Sequence, residues 1–286
     1  MGSQSGLLCG VIAMACWGIG DFVVARTVRR TGAFNVLAWS QVIGLVPYVP
    51  ALFFLNSFQM PTWGAVGTVL VSGIVVTLAY LSLYKGLQVG KVSIITPISA
   101  CWAIVTVVLS AFLFRESLST IQIVAVTLAI MGGVAASFKW GDLRRLSFKT
   151  GVVGIQYAFF AMIGLGLYYV LLDVLVSEIG WFLPVLLVRL VVVSLLFTYS
   201  VTTKRDVSFP KEVALLVILA GFLEFIAFLS YGIGINSEYT SLVAPVSAAS
   251  PVVTIALAKI FLGENLELNQ WAGVVVVSVS LVLLFL

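Results

Sequence analysis

The sequence predicts an all-α integral membrane protein whose ten transmembrane helices form two inverted five-helix repeats. Three observations carry this expectation. Of 286 residues, 62% are hydrophobic and only 9% charged, with a mean hydropathy of +1.19, whereas a soluble domain carries about 25% charged residues. The second half of the chain repeats the first at a separation of 148 residues. Basic residues gather in alternate connections between the apolar runs.

A span needs roughly 20 mainly apolar residues, and Pro, Gly and polar clusters divide the chain into ten such runs. Span one, 6–24, has no basic residue ahead of it. Its apolar stretch also exceeds the roughly 7–15 residues of a signal-peptide core, so it is expected to remain in the membrane. Arg26, Arg29 and Arg30 close it. Spans two and three, 34–54 and 63–84, follow, the second ending at Lys85 and Lys91. Span four, 92–114, contains Pro97 and stops at Arg115 and Glu116. Span five, 121–138, runs into Lys139, Arg144, Arg145 and Lys149. Span six, 151–176, leads to span seven, 182–200, which holds Arg189 and precedes Lys204, Arg205 and Lys211. Span eight, 213–235, holds Glu224, and span nine, 240–262, contains Pro245 and Pro251 and stops before Glu264. Span ten, 268–286, ends the chain as given. The connections are too short to hold a further domain, so the chemistry is expected within the bilayer.

The repeat matches Ala79 with Ala227, Ser82 with Ser230, Gly86 with Gly234, Ser93 with Ser241, Pro97 with Pro245, Thr106 with Thr254 and Glu116 with Glu264. Gly18/Gly166 and Gln122/Gln270 extend the register to both sides. The units expected are residues 1–138, a basic connection at 139–148, and residues 149–286. Five spans per unit turn the second copy upside down, and the charges agree. Thirteen of the 15 basic residues lie at odd-numbered connections and one, Arg115, at an even-numbered one. Because Lys and Arg concentrate on the cytoplasmic side, both termini are expected outside a plasma membrane. Copies with inverted charge are the mark of inverted-topology repeats.

WGIGDF (Trp17 to Phe22) with its following basic pair, the paired SxxxPxSA cores (Ser93 to Ala100, Ser241 to Ala248), and the LFRE and FLGE endings of spans four and nine resemble the EamA-type transporters of the drug/metabolite transporter superfamily. The resemblance covers nearly the whole chain. It implies a small-molecule transporter with a central cavity between spans one to four and six to nine, spans five and ten being peripheral.

Charges inside the membrane are costly and usually face a cavity or a partner. Arg189 and Glu224 are the deepest. At 1.5 Å per residue they lie at similar depth below the same surface, so a pair is geometrically possible. Gln41 is the repeat counterpart of Arg189. Tyr80 and Tyr84 share a face of span three, as Glu224, Phe228 and Tyr231 do on span eight. With Trp17 and Trp102 these supply an aromatic wall. The candidate substrate-binding residues are therefore Trp17, Gln41, Tyr80, Tyr84, Trp102, Arg189, Glu224 and Tyr231, with Glu224 as the candidate proton-coupling group. Asp21, close to the end of its apolar run, is expected to pair with the basic connection. Glu116 and Glu264 are expected at the interface, each favouring the N-terminus of the next helix.

No catalytic residue, metal site or cofactor is expected. The chain has no His, its three Cys lack CxxC spacing, and no HExxH or GxSxG occurs. A carrier of a small polar or aromatic metabolite, working by alternating access, fits best; a scaffold or channel-like membrane component is the alternative. The partners expected are a solute and the lipid bilayer, with no nucleic acid, since the positive charge is explained by orientation. The oligomeric state is open, a monomer being sufficient.

Overall fold

The computed structural model describes residues 3–54, 61–90, 92–137, 154–262 and 266–285. Among these every regular element is helical. Span one is Ser3–Thr31, span three Trp63–Val89, span five Thr120–Ser137, span six Ile155–Ile179, span seven Leu183–Thr203, span eight Ala214–Ser237 and span ten Leu268–Leu284. The other three are broken. Span two is Ala33–Leu45 with Tyr48–Phe54, span four Val92–Ala100 with Trp102–Leu113, and span nine Thr240–Ala248 with Pro251–Leu262. Pro251 lacks the N–H a continuous helix would use, and it opens the second helix of span nine. Among the described residues seven helical segments, counting spans two and nine across their breaks, are long and apolar enough to cross a bilayer, and three shorter apolar helices, in spans four, five and ten, complete the ten.

Several spans run past their apolar stretches. Span one continues to Thr31, carrying Arg26, Arg29 and Arg30 on the helix, because backbone hydrogen bonds persist into the interface where the charges are solvated. Gly32 and Gly180, equivalent in the repeat, then turn the chain into spans two and seven with φ of 87° and 81°, a left-handed backbone that side chains disfavour. Spans five and ten begin alike. Gln122 Oε1 accepts from Ser119 N at 2.9 Å, and Gln270 Oε1 accepts from Glu267 N at 3.0 Å. These are capping boxes, and they explain why this glutamine recurs.

The packing between the halves comes in symmetric couples. Span one packs on span eight as span six does on span three, and span eight on span two as span three does on span seven. Spans five and ten pack on each other. The close approaches match atom by atom. A Cβ on Gly18 would meet Val253 Cβ at 2.5 Å and Ser250 O at 2.6 Å, and one on Gly166 would meet Val105 Cβ at 2.5 Å and Trp102 O at 3.0 Å. Thr254 donates to Gly18 O at 2.9 Å and Thr106 to Gly166 O at 3.2 Å. Small residues that let helix backbones meet are the usual means of association in lipid, where burial of apolar side chains gives little drive.

Glu116 corrects one expectation. It does not serve the helix that follows it. Its carboxylate accepts from the backbone N–H groups of Thr240 and Ser241, each at 3.1 Å, and from the Ser241 hydroxyl. It thus satisfies the N-terminus of span nine in the opposite repeat, where unpaired N–H groups favour an anion. Glu264, Lys91 and the connection 139–148 lie outside the described residues.

Candidate functional site

The two deep charges meet. Arg189 Nη2 stands 3.6 Å from Glu224 Oε2, with both side chains buried. Gln41 Nε2 donates to Glu224 Oε2 at 2.6 Å, and the Tyr84 hydroxyl is 3.4 Å from Oε1. Four spans thus place one side chain each on this network. A buried carboxylate needs such partners, because leaving its oxygens without donors costs far more than the pair returns. Arg189 is further held by aromatic faces, its guanidinium lying 5.5 Å from the Phe228 ring centre and 6.0 Å from that of Tyr48. Gly44 makes room for it: a Cβ there would collide with Nη1.

Phe228 joins this network to an aromatic box. Trp17 lies between Tyr169 at 5.6 Å, Phe228 at 5.4 Å, Tyr231 at 5.6 Å and Trp102 at 6.3 Å between ring centres. Trp102 and Tyr169 approach to 4.1 Å, and Tyr169 and Tyr231 to 4.8 Å. The geometries are mostly edge-on or tilted, as ring quadrupoles prefer. Tyr80 packs on Tyr84 at 6.0 Å and on Phe228 at 6.5 Å.

A cavity of about 70 Å³ opens beside the box. Trp17 and Asp21 line it from span one, Tyr80 from span three, and Thr96, Ser99 and Trp102 from span four. Leu165 and Tyr169 come from span six, and Ser250, Pro251 and Thr254 from span nine. Spans four and nine, one broken span from each repeat, therefore supply its hydroxyl side chains Thr96, Ser99, Ser250 and Thr254, and among the described residues none of span five or ten contributes. Among the described residues, buried donors nearby without a hydrogen-bond partner include Trp17 Nε1, Tyr231 OH and Arg189 Nη1.

Of the residues expected from sequence, Trp17, Tyr80 and Trp102 line this cavity. Tyr231 belongs to the box, and Gln41, Tyr84, Arg189 and Glu224 form the polar network behind it. Asp21 departs from expectation. It lines the cavity, while the guanidinium of Arg26 lies over the Phe22 ring at 5.0 Å. Tyr168, Tyr169 and Ser250 escaped notice in the sequence, yet the repeat register pointed to two of them. Tyr169 corresponds to Asp21 and Ser250 to Trp102.

A model of the EamA-like transporter family matches residues 4–138 and 152–286. An uncharacterized protein of Methanocaldococcus jannaschii is 23% identical over 134 residues, which is 47% of this chain and 97% of that protein. A crystal structure described only as that of a protein shares the fold, with 18% identity, a TM-score of 0.77, and coverage of 99% of this chain and 97% of that chain.

Proposed function

The chain belongs to the EamA-like transporter family, within the drug/metabolite transporter superfamily, and from that premise we propose that it carries a small polar or aromatic metabolite across the plasma membrane by alternating access. The observation that carries this reading is a cavity lined by the broken spans four and nine, one from each repeat. Discontinuous helices at a repeat interface free backbone and side-chain polar groups at mid-membrane, and rocking one repeat against the other exposes such a site to each side in turn.

Size supports the need for movement. The cavity is about 70 Å³, whereas small-molecule sites measure about 300–1,000 Å³. A solute therefore requires the helices around it to part. Trp17, Trp102 and Tyr231 would stack on a planar or apolar part of the solute. Trp17 Nε1 and the Tyr231 hydroxyl, which have no partner, would donate to its acceptors, and Asp21 would take an amine. The polar network sets the second contact. A solute carboxylate that engages Arg189 would weaken its hold on Glu224, leaving Glu224 free to exchange a proton. Arg189, Gln41 and Tyr84 contact Glu224 from the neighbouring spans, and the Tyr80 ring packs on Tyr84. Basic connections facing the cytoplasm would set both termini outside.

Proteoliposomes loaded with a metabolite library test the carrier. Saturable uptake of one solute, with a turnover ceiling and loss of uptake in Trp17→Ala, is the expected result. Flux without a ceiling would mean a channel, and no flux of any solute in monodisperse protein would mean a scaffold. An inward-directed proton gradient should change the wild-type flux, and Glu224→Gln should bind solute but lose that response. A Gln variant that still responds removes Glu224 as the coupling group.

A further inference from the structure

A second and larger cavity lies away from the centre, at the end of the molecule where span two begins. It measures about 530 Å³ and is bounded by spans two, three, six and seven. Its long wall is apolar, with Ile74, Leu78, Leu81 and Leu195 among its residues. Ile74 and Leu78 are 48% and 59% exposed, so this groove opens sideways, toward lipid, and not into the aromatic box. Lys85 and Arg205 stand at one end.

Among the described residues neither cation has a carboxylate within ion-pair distance and no acid lines the groove. Lys85 Nζ contacts the Gln88 amide oxygen at 3.2 Å, and the Arg205 guanidinium lies 4.6 Å from the Phe34 ring centre. The eleven helical steps from Ile74 to Lys85 rise about 16 Å, which is half the roughly 30 Å hydrocarbon core. The groove thus has the depth of one leaflet, with its charge at the interface. Its apolar wall is long enough for one acyl chain to lie along it. In the repeat register the inverted copy lacks both cations: Ile233 corresponds to Lys85, and Ser57 to Arg205. Packing of the shared fold therefore does not require these cations.

We infer that this groove is a binding site for an anionic glycerophospholipid, its phosphodiester held by Lys85 and Arg205 and one acyl chain lying along Ile74, Leu78 and Leu195. Basic pockets between spans at the membrane surface bind such headgroups, each cation adding to the attraction. The site is separate from the solute cavity and does not depend on what the protein transports.

The test is retention of lipid by purified, delipidated protein in detergent, read by native mass spectrometry with phosphatidylglycerol and phosphatidylcholine offered at equal concentration. Wild type should retain one phosphatidylglycerol in preference to phosphatidylcholine. Lys85→Gln with Arg205→Gln should reduce that preference by about thirty-fold. Leu78→Trp, which fills the groove and keeps both cations, should lower retention of both lipids. Helical circular dichroism and monodisperse elution check folding, and the two single Gln variants replace the double one if it fails. Equal retention of the two lipids by wild type, or unchanged preference in the Gln variants, overturns the site. Inorganic phosphate that stabilises lipid-free protein as strongly as phosphatidylglycerol does would make it a small-anion site and also overturn the lipid assignment.

Discussion

Where spans one and nine cross, Gly18 lets Ser250 and Val253 come within contact of its backbone, and Thr254 donates to Gly18 O. One repeat later, Gly166 does the same for Trp102 and Val105, and Thr106 donates to Gly166 O. In the centre the same register sets Gln41 against Arg189, Val76 against Glu224, and Asp21 against Tyr169. The crossings are copies and the linings are not. Helix crossings in lipid depend on how near two backbones can come, a requirement that inversion leaves unchanged. A solute without a two-fold axis gains nothing from equal walls, so the lining is free to differ between the copies.

The largest effect should come from the unequal part. Arg189→Leu leaves Glu224 buried with only its neutral partners, and loss of one member of a buried pair costs about 3–5 kcal/mol. Replacing both, Arg189→Leu with Glu224→Met, should recover much of that loss, giving a coupling well above the scatter of additive sites. Chemical unfolding in bicelles or mild detergent reads it. Strict additivity of the two single changes would show that the charges act apart.

The equal part makes a sharper prediction. Gly18→Ala and Gly166→Ala each push a methyl into Val and backbone oxygen, and overpacking of this kind costs about 1–3 kcal/mol. The two losses should be alike. Val253→Gly should relieve part of the first loss and Val105→Gly part of the second, each removing the Cβ that the new methyl meets, with no cross-rescue. Unlike losses, or rescue by the wrong valine, would break the claim that the crossings are equivalent.

Thr254→Val and Thr106→Val remove the matching hydroxyl bonds. Interhelical hydrogen bonds of this type average about 0.6 kcal/mol in a membrane protein, so two small and equal losses are expected. Tyr231→Phe should have the least effect on stability, because its buried hydroxyl has no partner to lose and its removal leaves no group unsatisfied. Solute affinity in the flux assay should nevertheless fall. Unchanged affinity would take the Tyr231 hydroxyl out of the proposed site.

Sequence alone settled the ten spans, because the bilayer sets one length scale and a chain with 9% charge has few other places to put 20-residue apolar runs. It also showed the two copies, and it made the meeting of Arg189 with Glu224 legible, since helical rise converts residue number into depth. Depth does not say which way a side chain faces. Asp21 reads as a residue near the end of a span because Arg26 follows soon after, but the helix continues to Thr31, and helix packing turns Asp21 to the cavity. Tyr168 and Tyr169 could not be told from other aromatic residues in apolar runs. Glu116 precedes span five in the chain, yet the fold brings the N-terminus of span nine to it. The hydropathy of each run determined where the chain crosses the membrane. Only the close packing of one repeat against its inverted copy decided which faces meet, because a helix face is selected by neighbours distant in sequence.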